Sequence, residues 1–153
     1  MSHETAAEPL IPAPEDAQTW CTPTQYAELY AASLRDPDGF WALQADRIDW
    51  SSRPTHINRS SFDPVRIRWY DDGELNLCYN AVDRHVLAGH GADTALIWEG
   101  DTPGDVRSLS YDALLAEVQR FAGTLTALGV VRGDRVTIYM PMVLDGAIAL
   151  LAC

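Results

Sequence analysis

The sequence predicts an α/β protein: a helical amino-terminal segment, then the first strands and helices of a layered α/β domain that is left incomplete. Residues 111–128 repeat apolar side chains at alternating steps of four and three, as one face of a buried amphipathic helix does. Residues 135–140 begin with Arg135 and are otherwise apolar on both faces apart from Thr137, which is typical of an interior strand of a parallel sheet. An apolar helix follows and runs to Cys153. Alternating strands and helices favour an α/β layer structure.

The amino-terminal segment is predicted to be helical after a disordered tail. Residues 1–21 are rich in alanine, proline and acidic residues and have little to bury, so we expect disorder there. Thr22 is suited to cap a helix, Pro23 to its first position, and Gln25 to complete a capping box. The apolar positions that follow have helical spacing: Tyr26, Leu29, Tyr30 and Leu34.

The middle of the chain is predicted to hold a second helix and short strands. A turn at residues 36–39 starts a helix that we expect to include Phe40 and to reach Ile48. Residues 67–70 are predicted to form a short strand. Alternating apolar residues predict another strand over residues 75–79, and Asn80 is suited to cap a short helix after it.

A hairpin is predicted before the long helix. Residues 95–98 and 106–110 form its arms, and residues 101–105, with their proline and glycine, form the turn. Ser110 is the expected N-cap of the long helix, and Gly129 ends it.

Composition excludes several classes of function. The formal net charge is −11, from 22 acidic and 11 basic residues, and every basic residue is arginine. No lysine-dependent catalytic step is therefore possible within this chain, and the acidic balance argues against a nucleic-acid partner. Three cysteines far apart indicate a reducing compartment rather than a disulfide framework. Without a leader pattern or a membrane-length apolar run, we expect a cytoplasmic protein with no membrane partner.

Several residues invite a catalytic or ligand-binding interpretation, and each has a simpler structural one. His85 and His90 fit a helix start and a turn, and Cys78 lies between two apolar residues like a packed side chain. Asp101 with Asp105 suggests a metal site, but the proline and glycine beside them favour a hairpin turn. Arg132 with Arg135 suggests an anion site, but a solvated turn is the simpler interpretation.

Separate blocks of the sequence resemble one known family. YNAVDRH at residues 79–85, ALIWEGD at residues 95–101, the helix from Ser110, and GDRVTIYMPM at residues 133–142 are similar to the amino-terminal part of AMP-forming acetyl-CoA synthetases. Residues 26–50 and 61–80 continue the likeness. It covers roughly residues 22–153 in family order, which is far more specific than one short motif.

The resemblance implies membership of the adenylate-forming acyl-CoA ligase superfamily. Residues 22–80 would be the synthetase-like N-terminal domain and residues 81–153 the start of the AMP-binding large domain. The full-length family member converts acetate, ATP and CoA into acetyl-CoA, AMP and pyrophosphate, and it uses ATP, Mg²⁺ and CoA. The phosphate loop, acid pocket and catalytic lysine of the family have no counterpart in these residues. We therefore assign no catalytic, cofactor-binding or metal-binding residue, and expect the chain to be inactive alone.

Other interpretations stay open at this point. The apolar residues up to Cys153 lead us to expect the front portion of something larger, completed by the remainder of the synthetase chain or by a synthetase subunit. A stand-alone interaction module that pairs with such a subunit is one alternative. A propionyl-CoA synthetase fragment is another, and a decayed remnant without function is a third.

Overall fold

The computed structural model describes residues 21–153, so the predicted disordered tail of residues 1–21 lies outside it apart from Cys21. The chain divides into one compact unit that ends at Gln44 and a second that comprises Ala45–Cys153. In the described part, helices are combined with two small antiparallel sheets of two strands each. This mixture is compatible with an incomplete α/β domain.

The first unit is built from two helices. Helix α1 covers Pro23–Arg35 and has the predicted capping box, because Thr22 Oγ1 accepts the Gln25 N–H at 3.3 Å and Gln25 Oε1 accepts the Thr22 N–H at 2.8 Å. Helix α2 covers Pro37–Ala45, and Asp36 Oδ1 accepts the Gly39 N–H at 3.1 Å at its start.

The second helix is shorter than predicted. Ile48 lies beyond it, in a turn where its N–H donates to the Ala45 carbonyl at 3.1 Å. The Trp50 indole N–H donates to the same carbonyl at 2.9 Å. The last carbonyl of α2 thus accepts hydrogen bonds from Ile48 and Trp50 in the following turn, and the helix does not continue to Ile48.

The predicted strand over residues 67–70 is wrong. The strands of this region are β1, Ser61–Phe62, and β2, Val65–Arg66, which pair antiparallel. Trp69 forms an isolated antiparallel bridge to Asn58 and belongs to neither strand. Tyr70 has a φ of 49°, in the left-handed region, so the chain turns where the strand would continue.

Hydrogen-bonded carboxylates hold the loop around this turn. The Asp71 carboxylate accepts three hydrogen bonds. Arg59 donates two of them, from Nε at 3.0 Å and from Nη2 at 2.8 Å, and Arg68 donates the third, from Nη1 at 3.1 Å. These hydrogen bonds, from Arg59 first and Arg68 second, lower the pKa of Asp71. Asp72 accepts hydrogen bonds from the Thr55 hydroxyl and from His56. These hydrogen bonds lower the pKa of Asp72, and the one from Thr55 has the larger effect.

The predicted strand over residues 75–79 is also wrong, because a helical stretch begins at residue 77. Asn76, not Asn80, caps it: its Oδ1 accepts the Tyr79 N–H at 2.9 Å. The stretch contains two π-helical segments, Tyr79–Asp83 and Val86–His90. Within this stretch Val82 is almost completely buried, at 1% exposure.

The hairpin and the long helix form as predicted. Strand β3, Thr94–Glu99, pairs antiparallel with β4, Val106–Ser110. Helix α3, Tyr111–Ala127, begins at Ser110, whose Oγ accepts the Ala113 N–H at 3.2 Å. Gly129 follows the helix end at a φ of 90°, a conformation that glycine adopts without a Cβ penalty.

The core of the second unit is one cluster around α3. Leu114 and Val118 of α3 pack with Val82 and with Ile148 of the last helix, α4, Leu144–Ala152. The hairpin contributes half-buried side chains to the same cluster. Helix α3 is therefore the element against which the others pack.

Residues 135–140 do not form the predicted interior strand. No ladder pairs them with any part of residues 21–153, and Tyr139 is 99% exposed. An interior strand needs a neighbour on each side, and the described structure has no strand beside this segment. No helix in residues 21–153 combines the length and the apolar character that crossing a bilayer requires.

Leu114→Ala tests the core. Leu114 is 3% exposed, so its truncation leaves a cavity against Val82 and is expected to lower the free energy of unfolding by about 2–5 kcal/mol. Leu128→Ala is the matched control, because Leu128 is 76% exposed; it should change that free energy by less than about 0.5 kcal/mol. Urea denaturation followed by tryptophan fluorescence measures both. Equal effects of the two substitutions would contradict this core.

Asp71→Asn tests the charged loop. A carboxylate whose pKa is lowered by folding stabilises the native state above its unfolded pKa of about 3.9, and this contribution is lost as the pH falls further. The variant is therefore expected to be less stable than the original at pH 7, with a difference that shrinks towards pH 3. Urea midpoints at the two pH values measure it. Asp101→Asn, in the exposed hairpin turn, is the control; a pH-independent difference for Asp71→Asn would refute the ion-pair account.

Candidate functional site

An open cavity of about 750 Å³ lies in the second unit. It is bounded by the turn before the π-helical segments, by one side of α3, and by the end of α4; Asn76, Cys78, Asp83, Leu115, Arg132 and Leu151 line it. Its walls mix polar and apolar groups, and it is wide open to solvent. It brings together two of the residues that the sequence singled out, Cys78 and Arg132.

Cys78 has the chemistry of a packed thiol. Its Sγ lies 3.8 Å from Asp83 Oδ2. Burial raises the pKa of the Cys78 thiol, and the Asp83 carboxylate raises it further. Since the thiolate is the nucleophilic form, this environment opposes covalent catalysis.

The two histidines make separate contacts. The His85 ring lies against the Tyr111 ring at a centroid distance of 5.0 Å. His90 Nδ1 is 2.9 Å from Asp93 Oδ2, three residues along the chain. Each ring therefore has a local structural partner.

The acidic pair in the hairpin belongs to its turn. The Asp105 N–H donates to the Thr102 carbonyl at 3.0 Å, and the Gly100 N–H donates to the Asp105 carbonyl at 2.8 Å. Among residues 21–153, no group of three or more histidine, cysteine, aspartate or glutamate side chains is arranged to hold a metal ion.

Arg132 and Arg135 flank a closed turn. Asp134 Oδ2 accepts the Val131 N–H at 2.9 Å, and the Asp134 N–H donates to the Val131 carbonyl at 3.1 Å. Arg132 borders the cavity, whereas Arg135 begins the exposed segment 135–140. The structure brings no second basic residue of the turn to the cavity wall.

Sequence reasoning missed the Thr55–His56–Asp72 cluster. His56 Nδ1 lies 3.1 Å from both Thr55 Oγ1 and Asp72 Oδ2. Both the hydroxyl and the backbone N–H of Thr55 donate to Asp72. The arrangement superficially resembles a hydroxyl–imidazole–carboxylate set, but the carboxylate binds the hydroxyl directly, so it fixes a loop. Its partners lie 16 and 17 residues apart in sequence, beyond any local pattern.

Two family models match consecutive parts of the chain. The model for the acetyl-coenzyme A synthetase N-terminus matches residues 26–81. The model for AMP-binding enzymes matches residues 83–153. The two matches are consecutive, and together they cover almost all of the described residues.

Curated relatives match the same range. The chain is 48% identical over 147 residues to acetyl-coenzyme A synthetase of Syntrophus aciditrophicus, which covers 94% of this chain and 23% of the relative. It is 48% identical over 145 residues to the Bradyrhizobium diazoefficiens protein of the same name, covering 94% and 22%. For the Aeromonas salmonicida protein of that name, the identity is 51% over 130 residues, covering 84% and 20%.

The chain thus spans less than a quarter of the length of these relatives. Its matched blocks include the capping box helix, the hairpin and α3, which are the elements that formed as predicted. The chain therefore belongs to the AMP-forming acetyl-coenzyme A synthetase family, and its residues correspond to the amino-terminal part of those enzymes.

Proposed function

We propose that these residues serve as the amino-terminal structural part of an acetate–CoA ligase. The whole enzyme would convert acetate, ATP and CoA into acetyl-CoA, AMP and pyrophosphate in the cytoplasm. The observation that carries the proposal is the consecutive match to the synthetase N-terminus and to the AMP-binding enzymes over residues 26–153. The names of the relatives support acetate as the acid.

The described residues support a scaffolding role within that enzyme. The side chains that invite a catalytic interpretation already have structural partners: Cys78 with Asp83, His85 with Tyr111, and His90 with Asp93. The chain has no lysine to stabilise charge on a phosphate or an adenylate. We propose that no catalytic, cofactor-binding or metal-binding residue lies in this chain, and that it is inactive alone.

The proposed domain boundary follows the two family matches. We propose that residues 22–80 form the synthetase-like N-terminal domain and that residues 81–153 begin the AMP-binding domain. We propose that ATP, Mg²⁺ and CoA are held by residues outside this chain, because the phosphate loop and the catalytic lysine that the family uses have no counterpart in its sequence. No step of the reaction is assigned to residues 21–153.

A chimera tests the proposal. Residues 1–153 replace the matched part of the Syntrophus aciditrophicus synthetase, and acetate-dependent pyrophosphate exchange is measured. Because the proposal places no group of this chain at the reacting atoms, the kcat/KM of the chimera should lie within about tenfold of that of the parent synthetase. A tenfold change corresponds to about 1.4 kcal/mol in the activation free energy. The 153-residue chain alone should show no exchange.

Two further variants of the chimera separate scaffold from chemistry. Val82→Asp places a charge in the core, where Val82 is 1% exposed, and should abolish both the folded state and the exchange. Thr102→Asp, in the exposed hairpin turn, should leave both unchanged. A chimera that folds by circular dichroism but fails to make acetyl-CoA would overturn the proposal, as would exchange by the chain alone.

A further inference from the structure

We infer that residues 46–49, here called the connector, form a latched joint: Asn80 and Arg84 hold them by side-chain hydrogen bonds, and they open as a unit while the core around α3 stays folded. The connector follows α2 and lies wholly within the second unit, shortly after the first unit ends at Gln44. Opening of the joint therefore releases the chain next to the point in the sequence where the two units meet.

Asn80 holds the connector as a neighbouring strand would. Its Oδ1 accepts the Asp49 N–H at 2.9 Å, and its Nδ2 donates to the Asp49 carbonyl at 2.9 Å. One side-chain amide thus exchanges both hydrogen bonds with the backbone of a single residue, as paired residues of an antiparallel sheet do. Its Nδ2 also donates to the Asn76 carbonyl at 3.0 Å, which fixes the amide group to the start of the helical stretch.

Arg84 supplies a second attachment, four residues after Asn80. Its Nη1 donates to the Arg47 carbonyl at 3.0 Å and to Asn80 Oδ1 at 3.2 Å. The same Nη1 lies 3.5 Å from Asp49 Oδ2. The guanidinium group therefore contacts both the connector and the side chain that holds it, so the two attachments reinforce one another.

Contacts on each side of the connector confine the opening to it. Before the connector, Ala45 is 4% exposed, and its carbonyl accepts the Trp50 indole N–H at 2.9 Å. After the connector, the Ser51 N–H donates to the Glu74 carbonyl at 2.8 Å. The chain is thus anchored to the second unit at both ends of residues 46–49.

The connector itself is held by contacts at the surface. All four of its residues are exposed, and none belongs to the core cluster of the described residues. Its other contacts are the hydrogen bond from the Ile48 N–H to the Ala45 carbonyl and an ion pair between Asp46 and Arg53, both more than half exposed. Exposed polar contacts each contribute little to the free energy of unfolding, so the connector opens more easily than the apolar core does.

Hydrogen exchange of single amides in the unsubstituted chain tests the joint. The Asp49 and Ile48 amides are both hydrogen-bonded, so both should be protected. They should nevertheless exchange at least about 100-fold faster than the Val118 amide in the middle of α3, because they open without the core. Equal protection of all three amides would overturn the inference, and so would exchange of the Asp49 amide at the rate of an unfolded peptide.

Arg84→Met tests whether the connector opens as a unit. Arg84 donates to the Arg47 carbonyl and to Asn80, so a faster Ile48 or Asp49 amide reports opening rather than the loss of that amide's own bond. Both amides should exchange about tenfold faster in this variant, while the Val118 amide keeps its rate. Asp49→Asn is the matched control: it keeps the backbone that Asn80 binds and removes only the exposed charge near Arg84, so the rates should change by less than about twofold.

Asn80→Ala provides a second and independent variant. The Ile48 amide is bonded to Ala45 and not to Asn80, yet it should exchange faster when Asn80 is truncated, because the whole connector is released. Acceleration of the Asp49 amide alone would show one lost hydrogen bond and no joint, which overturns the inference. A Val118 amide accelerated as much as the connector amides in Arg84→Met would also overturn it, since Arg84 would then stabilise the core.

Discussion

The burial of one face of α3 is the constraint on which the second unit depends. Leu114 and Val118 contact Val82 from the π-helical segments and Ile148 from α4, and the hairpin packs against the same cluster. Few apolar side chains are fully buried elsewhere among residues 21–153, while many large ones stay exposed. Since burial of apolar surface is the main favourable term in folding, the second unit is organised by one helix rather than by a sheet.

The loop before that core is held by different forces. Asp71 and Asp72 collect hydrogen bonds from Arg59, Arg68, Thr55 and His56, and these bonds fix a segment with little regular structure. The basic members of these pairs are about half exposed, where ion pairs contribute little to the free energy of unfolding. Their role is to set the path of the chain between Thr55 and Asp72.

What the sequence predicted correctly depends on local chemistry. The capping box at Thr22, the hairpin turn and the Ser110 cap each involve residues a few positions apart, and all three form. Residues 75–79 misled the prediction because their alternation suits a strand, whereas the burial of Val82 against α3 imposes a helix. The Asp72 cluster escaped notice because its partners are distant in sequence.

The failure at residues 135–140 is of another kind. At residues 75–79 the structure offers a competing interaction that explains why the strand pattern loses. At residues 135–140 no backbone hydrogen bond within residues 21–153 competes with a strand, and Tyr139 is far more exposed than its neighbours Ile138 and Met140. The pattern of a buried strand is thus present without the neighbouring strands that it requires among residues 21–153.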